Sequence, residues 1–574
     1  MPTITACGSA LGCASLRLAA NHGFTTMPTD RPKFFLTTAI DYPNSRPHIG
    51  TAFEKIGADV QARYRRMQGY DVFFLMGNDE NTVKVAKKAA ELGQDTQAYC
   101  DDMARQFREV WDALDISYDI FIQTSSPRHH ECCRKFIQKV YDNGYIRKDK
   151  YEGWYCVGCE AFKTEQEIKE AGGVCPNHKT SPIRRSEECY FFEQTKFRER
   201  LLKLYKERPE LIQPESRRNE IISLVKEGLY DLNITRTGEE WGIRVPWDPK
   251  FTIYVWFDAL LTYITGIGYG DDEAEFRKWW PCDIHFIGKD ITRFHCATWP
   301  AMLLAAGVEP PKQVFGHGFV YIKNEETGAA EKISKSLGNV VEPMEIISKF
   351  SGEAFRYYFM RECPFPGDGE FSWQRFADVY NSELANNLGN LYSRVVTLIS
   401  KNFGGTLPGG RKIDPDAILP YYQADLEGNR ASPDGSEALA LIHPGSTANV
   451  IANLKSLVEQ CRYNQALQTI WANFLTPANR FAEVTEPWKL VKTNKGNAAE
   501  VLKYMLVPLR TVSILLKPFV PRAAETIYRS FNFTKPWEHV QYEDAAAYET
   551  QGDDLRILAQ LEGGKVKPLF PRIG

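Results

Sequence analysis

The sequence predicts an α/β protein with a Rossmann-type nucleotide-binding sheet, an inserted module and a helical C-terminal part. Strand-like and helix-like segments alternate from Lys33 to about Gly144, as expected for a parallel sheet. Between about 148 and 249 the composition changes to cysteines, prolines and charge, and strand-like text then resumes. From about Phe376 to Glu549 a helical period dominates. These observations predict one sheet interrupted by an insertion, with a helical domain after it.

The length and composition indicate a globular protein of several domains. At 574 residues the chain is long enough for two to four domains. No apolar run is long enough to cross a bilayer, so no membrane association is expected. A formal net charge of -3 argues against coating nucleic acid through bulk charge, although a local basic face is compatible with it. Thirteen cysteines, an odd number, favour a reducing compartment, and a cytoplasmic location is expected.

Residues 1–30 differ from the rest of the chain. They contain Arg17 and His22, and no acidic residue precedes Asp30. Two interpretations stay open: a transit peptide, or an upstream start codon with the true start at Met27, which the sequence favours. Arg17 interrupts the apolar stretch, so the pattern is not that of a clear secretory signal.

Individual elements follow from periodicity. Lys33–Ile40 is predicted to be a buried strand, Thr51–Gln68 a helix that ends at Gly69, and Asp71–Met76 a second strand. Gly404–Ser446, rich in glycine, proline and polar residues, is predicted to be a loop. Further strand-like segments are Thr252–Phe257, Asp283–Ile287 and Val314–Ile322, and further helical segments are Leu384–Ile399 and Ala448–Leu475.

The turn between the first strand and the first helix contains Pro47-His48-Ile49-Gly50. A helix N-terminus presents free N–H groups and positive potential to phosphate. His48 can donate a hydrogen bond there, and Gly50 has no Cβ, so a flat purine can lie against the backbone. An ordinary βα turn with a surface histidine has the same pattern, so this motif alone does not decide the function.

Far along the chain, Lys332-Ile333-Ser334-Lys335-Ser336-Leu337-Gly338-Asn339 places two lysines three residues apart in a polar loop. A solvated surface loop is the alternative interpretation. Lysines directed at the charge that develops on departing pyrophosphate would stabilise that transition state. Lys335 is the stronger candidate for this role and Lys332 the second.

Cysteine spacing predicts a metal site in the inserted module. Cys156 and Cys159 form one knuckle, and Cys175 and His178 form a second one after a gap of about 15 residues. Three thiolates and one imidazole fill all four positions of a tetrahedral zinc site, so one structural zinc per chain is expected.

Three further segments point to small-molecule binding. Within Tyr254–Tyr263, four residues lie on one face of a predicted helix, where ordinary core packing is the alternative and an aromatic pocket would suit a thioether. Asp79 follows the second strand, at the sheet edge where ligands bind, and could pair with an ammonium group. Gly288 and Asp290 occupy another strand-to-helix junction, suited to ribose and backbone contacts. The four residues on that face are Trp256, Ala259, Leu260 and Tyr263.

The helical part contains candidates for reading bases. Asn386, Asn390 and Arg394 follow one another at intervals of four residues, and Trp488 comes later in the chain. Amides and a guanidinium can read base edges, and an indole can stack on an unstacked base. A polar helix face and a packed tryptophan are the alternative.

In combination these motifs resemble those of the methionyl-tRNA synthetases, a family of class I aminoacyl-tRNA synthetases. The resemblance runs from about Lys33 to Trp488 and includes PHIG at 47–50, the Asp79 segment, the zinc knuckles, YVWFDALLTY, HFIGKDITRFH, KISKSLGN, NLGNLYSR and EPWKL. It implies activation of L-methionine by ATP, bound with Mg²⁺, to methionyl-adenylate, followed by charging of initiator and elongator tRNA(Met).

The resemblance also implies domains and residue roles. The domains are an extension (1–30), two halves of the catalytic domain (31–147 and 250–325), the zinc-bearing connective insertion (148–249), the KISKS loop with a stem-contact region (326–375) and an α-helical anticodon-binding domain with a tail (376–574). The implied catalytic residues are His48, Lys332 and Lys335, and the ATP site adds Gly50, Thr51, Gly288 and Asp290. The implied methionine pocket is Ala39, Ile40, Tyr42, Asp79, Trp256, Ala259, Leu260, Tyr263, Ile291 and His295. The implied anticodon readers are Asn386, Asn390, Arg394 and Trp488, and the implied metal ligands are Cys156, Cys159, Cys175 and His178.

The sequence departs from the family pattern at three positions, with Thr51 and Asn81 in place of usual histidines and Ile333 in place of a usual methionine. Alternatives are another class I synthetase, a non-catalytic zinc- and tRNA-binding protein descended from one, and a plain nucleotidyltransferase. The valine, leucine and isoleucine enzymes carry editing insertions longer than the roughly 100 residues available here. No appended dimerisation domain is visible, so a monomer is expected.

Overall fold

A six-stranded parallel sheet forms the centre of the first half of the chain. In space the strands follow the order β3-β2-β1-β5-β6-β4, and every neighbouring pair is parallel. The order reverses between β1 and β5, so the carboxyl ends of these strands border the crevice where open α/β sheets bind ligands. The strands are β1 (Lys33–Thr38), β2 (Asp71–Asn78), β3 (Ile120–Gln123), β4 (Ile212–Gln213), β5 (Ile284–Gly288) and β6 (Val314–His317).

This computed structural model describes residues 31–157, 161–163, 165–238, 240–324, 327–333, 339–409, 444–546, 553–562 and 565–573. The predicted extension 1–30 and most of the predicted loop Gly404–Ser446 therefore lie outside the described residues. The described helices are too short or too polar to cross a bilayer.

Helix α1 (Ile49–Met67) follows β1 and confirms the predicted helix to within two residues at its start. His48 caps its N-terminus, and Gly69, with φ +85°, lets the chain turn into β2. The helix is buried on most sides, including Lys55 and Asp59, because the sheet covers one face and the C-terminal helices cover another.

Two predicted strands differ in the structure. Thr252–Phe257 divides into a short strand (Phe251–Ile253) and a helix (Val255–Ala259), and the strand pairs antiparallel with Thr235–Thr237 outside the parallel sheet. The segment is almost entirely apolar and mostly buried, so periodicity could not separate strand from helix. Val314–Ile322 is two strands in different sheets, β6 and Val320–Lys323.

The inserted region is a four-stranded antiparallel sheet with the order Ala161–Lys163, Ile146–Cys156, Ile183–Phe192, Leu232–Asn233. Between its last two strands the chain returns to the parallel sheet, where Arg198–Glu207 and Glu215–Glu227 flank the edge strand β4. A three-stranded sheet with the order Ala330–Lys332, Val320–Lys323, Gly369–Phe371 follows β6.

The remaining described helices cover the parallel sheet or build the C-terminal part. Those of the first half are Val83–Glu91, Thr96–Ala113, Pro127–Asp142, Glu165–Glu170, Thr262–Thr265, Glu273–Trp279 and Trp299–Ala305. Those of the second half are Pro343–Lys349, Gly352–Glu362, Trp373–Val379, Asn390–Phe403, Pro444–Glu459, Tyr463–Ile470, Thr476–Thr485, Pro487–Thr493, Lys495–Leu515 and Pro521–Arg529.

A buried arginine joins the catalytic sheet to the C-terminal helices. Arg356 is fully buried; its guanidinium lies 2.7 Å from the carboxylate of Asp59 in α1 and donates to the carbonyls of Pro518 and Phe519, both at 2.8 Å. Burial opposes ionisation of Asp59, but Arg63 and Arg356 outweigh it and lower the pKa of Asp59. Breaking such a paired buried charge would be strongly destabilising, so this contact holds the two parts of the chain in one arrangement.

Candidate functional site

The mouth of α1 is organised by His48. Its Nδ1 accepts the backbone N–H of Thr51 at 3.2 Å, as an N-cap side chain does. In the neutral ring the proton therefore resides on Nε2, the nitrogen that can donate to a phosphate oxygen. A Cβ on Gly50 would lie 3.1 Å from this imidazole, so glycine lets the ring fold close over the helix mouth.

The structure brings the two predicted ATP motifs together. The Cβ position of Gly50 lies 3.7 Å from Cδ1 of Ile333, the residue directly after Lys332. Lys332 ends the strand Ala330–Lys332, which pairs with Val320–Lys323 next to β6. Lys335 belongs to residues 334–338 and lies outside the described residues. The described part of the lysine loop is therefore anchored at the helix mouth.

A phenylalanine that sequence analysis missed lies beside this loop. The Phe319 ring is 4.7 Å from Nζ of Lys289 and 5.0 Å from Nζ of Lys332, within cation–π range. Asp368 holds the arrangement, because it accepts from Lys289 at 2.7 Å and from the backbone N–H of Phe319 at 2.8 Å. The only local signal for Phe319 in the sequence was an aromatic residue shortly after β6, and such residues are common in protein cores.

Gly288 and Asp290 also meet at this edge. A Cβ on Gly288 would come within 2.7 Å of a carboxylate oxygen of Asp290, so only glycine lets Asp290 fold back over the end of β5. The same Cβ position is 3.8 Å from the Phe319 ring. The predicted ribose-binding pair therefore adjoins the lysine loop.

Two residues of the predicted amino-acid pocket, Tyr263 and His295, form a buried hydrogen-bonded pair. His295 Nδ1 donates to the carbonyl of Ile291 at 3.1 Å, so Nε2 is the acceptor for the hydroxyl of Tyr263 at 2.7 Å. Burial lowers the pKa of His295 to about 4 and raises that of Tyr263 well above its usual range, so both are neutral. His295 lies on a π-helical turn (Phe294–Thr298), a local conformation that occurs often at functional sites.

The other predicted pocket residues surround this pair. Trp256 is half-buried and stacks on Phe294 at 4.0 Å, with its ring perpendicular to that of His295. Ala259 and Leu260 are buried. The predicted single helix is in fact two short helices, Val255–Ala259 and Thr262–Thr265, with Leu260 between them.

The carboxyl ends of β1 and β2 carry the remaining pocket candidates. The backbone N–H of Asp79 donates to the carbonyl of Asp41 at 2.8 Å, which joins the two strand ends. Ala39 and Ile40 are half-buried just after β1, and Tyr42 is 39% exposed. These residues therefore lie at the same crevice as the mouth of α1.

Two acids share the floor of this region. Asp258 is fully buried, and burial together with Asp79 raises its pKa well above the usual range. Asp258 is therefore neutral. The carboxyl group of Asp79 follows the end of β2, a position suited to binding an ammonium group.

Three of the four predicted metal ligands converge in the inserted module. Nδ1 of His178 lies 3.9 Å from Sγ of Cys156 and 4.0 Å from Sγ of Cys175, and all three donor atoms lie within 4.8 Å of one another. Ligands around tetrahedral zinc lie roughly 3.5–4 Å apart, so this donor set fits the metal. Cys159 falls outside the described residues.

We expect the purified protein to contain close to one zinc per chain, and Cys175→Ala to lose it and to loosen the inserted sheet, because binding and local folding are coupled. Elemental analysis and limited proteolysis measure both effects. Cys189→Ala is the matched control, since Cys189 is buried in the same sheet but is not among the clustered ligands. Protein that has never met a chelator and still contains no zinc would contradict the prediction.

A cavity of about 660 Å³ lies in the helical part. Asn390, Arg394 and Trp488 line it, and the Arg394 guanidinium lies 5.5 Å from the centre of the indole ring. Asn386 is exposed and is not among the described lining residues; it belongs to a π-helical segment (Tyr380–Gly389), where a spacing of four does not follow the α-helical period. Chain near the C-terminus, including Phe570 and Arg572, closes one side of the cavity.

Comparison with known proteins decides the family. The family model described as tRNA synthetases class I (M) matches residues 34–181 and 173–396. The model described as the anticodon binding domain of methionyl tRNA ligase matches residues 435–559. The chain belongs to the methionyl-tRNA synthetase family. Both the parallel-sheet core and the helical C-terminal part therefore have counterparts in this family.

Relatives within the methionyl-tRNA synthetase family align over most of the chain. The methionine–tRNA ligase of Caldanaerobacter subterraneus subsp. tengcongensis is 40% identical over 94% of this chain and 79% of that protein. The methionine–tRNA ligase of Thermosynechococcus vestitus is 39% identical over 91% of this chain and 93% of that protein. The solved Mycobacterium tuberculosis methionyl-tRNA synthetase in complex with methionyl-adenylate is 34% identical, covers 94% of this chain and 100% of its own, and has a TM-score of 0.81.

The structure gives two departures from the methionyl-tRNA synthetase pattern a local explanation. The hydroxyl of Thr51 lies 3.3 Å from Nδ1 of His48, so it supports the histidine. The amide of Asn81 donates to the carbonyl of Thr124 at 2.9 Å and to Asp258 at 3.2 Å. Both residues therefore steady groups that border the predicted substrate sites.

The neutral His295 predicts a pH dependence of stability. Its folded pKa of about 4 lies below the ordinary value of 6.5, so stability from this group is present above pH 6.5 and is lost as the pH falls toward 4. Between pH 6.5 and 5 the loss should be about 1.5 kcal/mol. We expect His295→Gln, which cannot titrate, to lose that much less over the same interval in chemical denaturation. Equal losses in the variant and the wild type would contradict a buried neutral His295.

Proposed function

We propose that this chain ligates methionine to tRNA, using ATP to form methionyl-adenylate first. The observation that supports the proposal is the proximity of Ile333 to Gly50, where an added Cβ would lie 3.7 Å from Cδ1 of Ile333, so that the two ATP motifs meet at the mouth of α1. The test is ATP–pyrophosphate exchange with methionine, cysteine, valine, leucine and isoleucine in turn. Exchange with methionine alone is expected; exchange with another of these, or with none, would overturn the proposal.

The first step is displacement at phosphorus. A carboxylate oxygen of methionine attacks the α-phosphorus of ATP, the bond to the bridging oxygen breaks, and pyrophosphate leaves with the electron pair. His48 Nε2–H donates to a phosphate oxygen, and the N–H groups at the mouth of α1 add positive potential. Lys332 and Lys335 stabilise the charge that grows on pyrophosphate. Mg²⁺ bound with ATP would neutralise part of the triphosphate charge.

The proposed pocket recognises methionine through aromatic rings and through the absence of charge. Because the hydroxyl of Tyr263 donates a hydrogen bond to neutral His295, the pair presents polarizable rings and no charge, which suits an uncharged thioether. Asp79 pairs with the α-ammonium group, and Gly288 and Asp290 bind the ribose. The α-carboxylate is thereby held near the α-phosphate, so the reaction gains from proximity.

The second step transfers methionine to tRNA. A terminal ribose hydroxyl of the tRNA attacks the carbonyl carbon of the adenylate, and AMP leaves. Trp488 stacks on an anticodon base while Asn390 and Arg394 read base edges, with Asn386 contacting the loop from the exposed helix surface. Initiator and elongator tRNA(Met) carry the same anticodon, so both are substrates.

Zinc is the proposed metal of the inserted module, held by Cys156, Cys175, His178 and Cys159. With four protein ligands it would stabilise that sheet and take no part in the reaction, because no position stays open for substrate. A monomeric state and a cytoplasmic location stay predictions.

A further inference from the structure

A buried lysine lies where the amino-acid site and the ATP site meet. Lys55 lies on α1, two turns after His48, and its side chain is fully buried. Its Nζ donates to the carbonyl of Ala39 at 2.8 Å, to the Asp41 carboxylate at 3.1 Å and to Glu54 at 2.7 Å. One ammonium group therefore joins the end of β1 to the helix that forms the phosphate site.

The network continues to two more strand ends. The carbonyl of Asp41 accepts the backbone N–H of Asp79 at the end of β2. On the other side Nε2 of His317 lies 2.8 Å from the Glu54 carboxylate, and Nδ1 of His317 lies 2.7 Å from the carbonyl oxygen of Gly318. His317 ends β6. The ends of β1, β2 and β6 are thus tied to α1 through Lys55 and its two acids.

The acids beside Lys55 explain why it stays ionised although it is buried. Burial alone would lower the pKa of Lys55, but Asp41 and Glu54 outweigh it and leave that pKa raised. Burial raises the pKa of Asp41 to about 7, while Lys55 acts in the opposite direction. Buried ion groups often stabilise a fold no better than apolar side chains would, so stability alone is a weak reason for this one. Its position at the substrate crevice is a better reason.

We propose that Lys55 is a positioning residue that sets methionine affinity by holding the Ala39–Asp41 turn and, through Asp41, the backbone of Asp79 against α1. The inference rests on the proposed function, because Ala39, Ile40 and Asp79 are its methionine-binding residues. Lys55 donates to the carbonyl of Ala39 and the carboxylate of Asp41, and so acts through them.

The test compares Lys55→Met with the double variant Lys55→Met/Asp41→Asn in the full-length protein. The single variant leaves Asp41 without its cation, so we expect it to lose both thermal stability and methionine affinity. The double variant removes one of the two acids that Lys55 pairs with, so we expect it to regain part of the stability while its affinity stays low. Coupling energies in such networks correspond to roughly a threefold to hundredfold weaker dissociation constant for methionine, with the ATP constant within about twofold.

Methionine binding is followed by calorimetry on the folded protein, and melting curves are recorded beside it. Lys503→Met is the matched control: Lys503 is buried and paired with Glu500 in the helix Lys495–Leu515, away from the crevice. It should lower the melting temperature and leave methionine affinity unchanged.

The outcomes separate this inference from the proposed function. Wild-type protein that fails to bind methionine overturns both. If the wild type binds and the double variant binds equally well, Lys55 is only a structural residue and the proposed function stands. Unchanged methionine affinity in Lys55→Met would likewise show that Lys55 has no positioning role.

Discussion

Replacing Lys335 with alanine is expected to slow adenylate formation by about a hundredfold or more while methionine affinity changes by at most a few-fold. The interaction matters chiefly in the transition state, where charge builds on the departing pyrophosphate. A lysine that bound ATP equally in the ground state would change affinity instead. Rapid-quench measurement of a single turnover, with separate titrations of ATP and methionine, distinguishes the two effects.

The chain offers a matched control for this lysine. Lys323 is exposed at the end of the strand Val320–Lys323, which pairs with the strand that ends at Lys332. Lys323→Ala removes the same charge from a neighbouring strand and should leave the rate within about twofold, since solvent and salt screen an exposed charge. A normal rate in Lys335→Ala would mean that Lys335 is only a solvated surface residue and that Lys332 acts without it.

Removing the indole of Trp488 is expected to lower tRNA charging efficiency by roughly tenfold to a hundredfold. Stacking of a base on an aromatic ring contributes about 1–3 kcal/mol, and each factor of ten corresponds to about 1.4 kcal/mol. Trp488 is half-buried at a cavity with Arg394 close to its ring, so truncation should remove a contact surface rather than the core. Methionine-dependent exchange should stay near that of the wild type.

A buried tryptophan in the same domain provides the contrast. Trp471 is 5% exposed and packs against Tyr357 at 4.8 Å. Trp471→Ala should leave a void, lower the melting temperature and reduce charging and exchange together. If Trp488→Ala shows that same pattern, Trp488 is a packing residue and anticodon reading falls to Asn386, Asn390 and Arg394.

Local geometry is the part of this protein that sequence analysis predicted well. β1, α1 and β2 appear within about two residues of their predicted bounds, because each has a clear period and a clear end signal. The knuckle of Cys175 and His178 meets Cys156 for a similar reason, since short spacings in a turn restrict where donor atoms can lie. The segment Thr252–Phe257 was predicted wrongly, because a short run that is almost entirely apolar shows no clear period.

By itself the sequence determined the residue types at each strand end and helix mouth, and therefore the chemistry available at the crevice. The tertiary structure alone decided which distant groups meet: Ile333 at Gly50, Phe319 between two lysines, and Arg572 beside Trp488's cavity. It also decided that Lys55 is buried beside Asp41 and Glu54. The sequence does not reveal this burial, because an adjacent Glu-Lys pair such as Glu54-Lys55 is typical of exposed helix surfaces. The physical reason is that burial and pairing depend on what other elements cover, and coverage is set by packing across the whole chain.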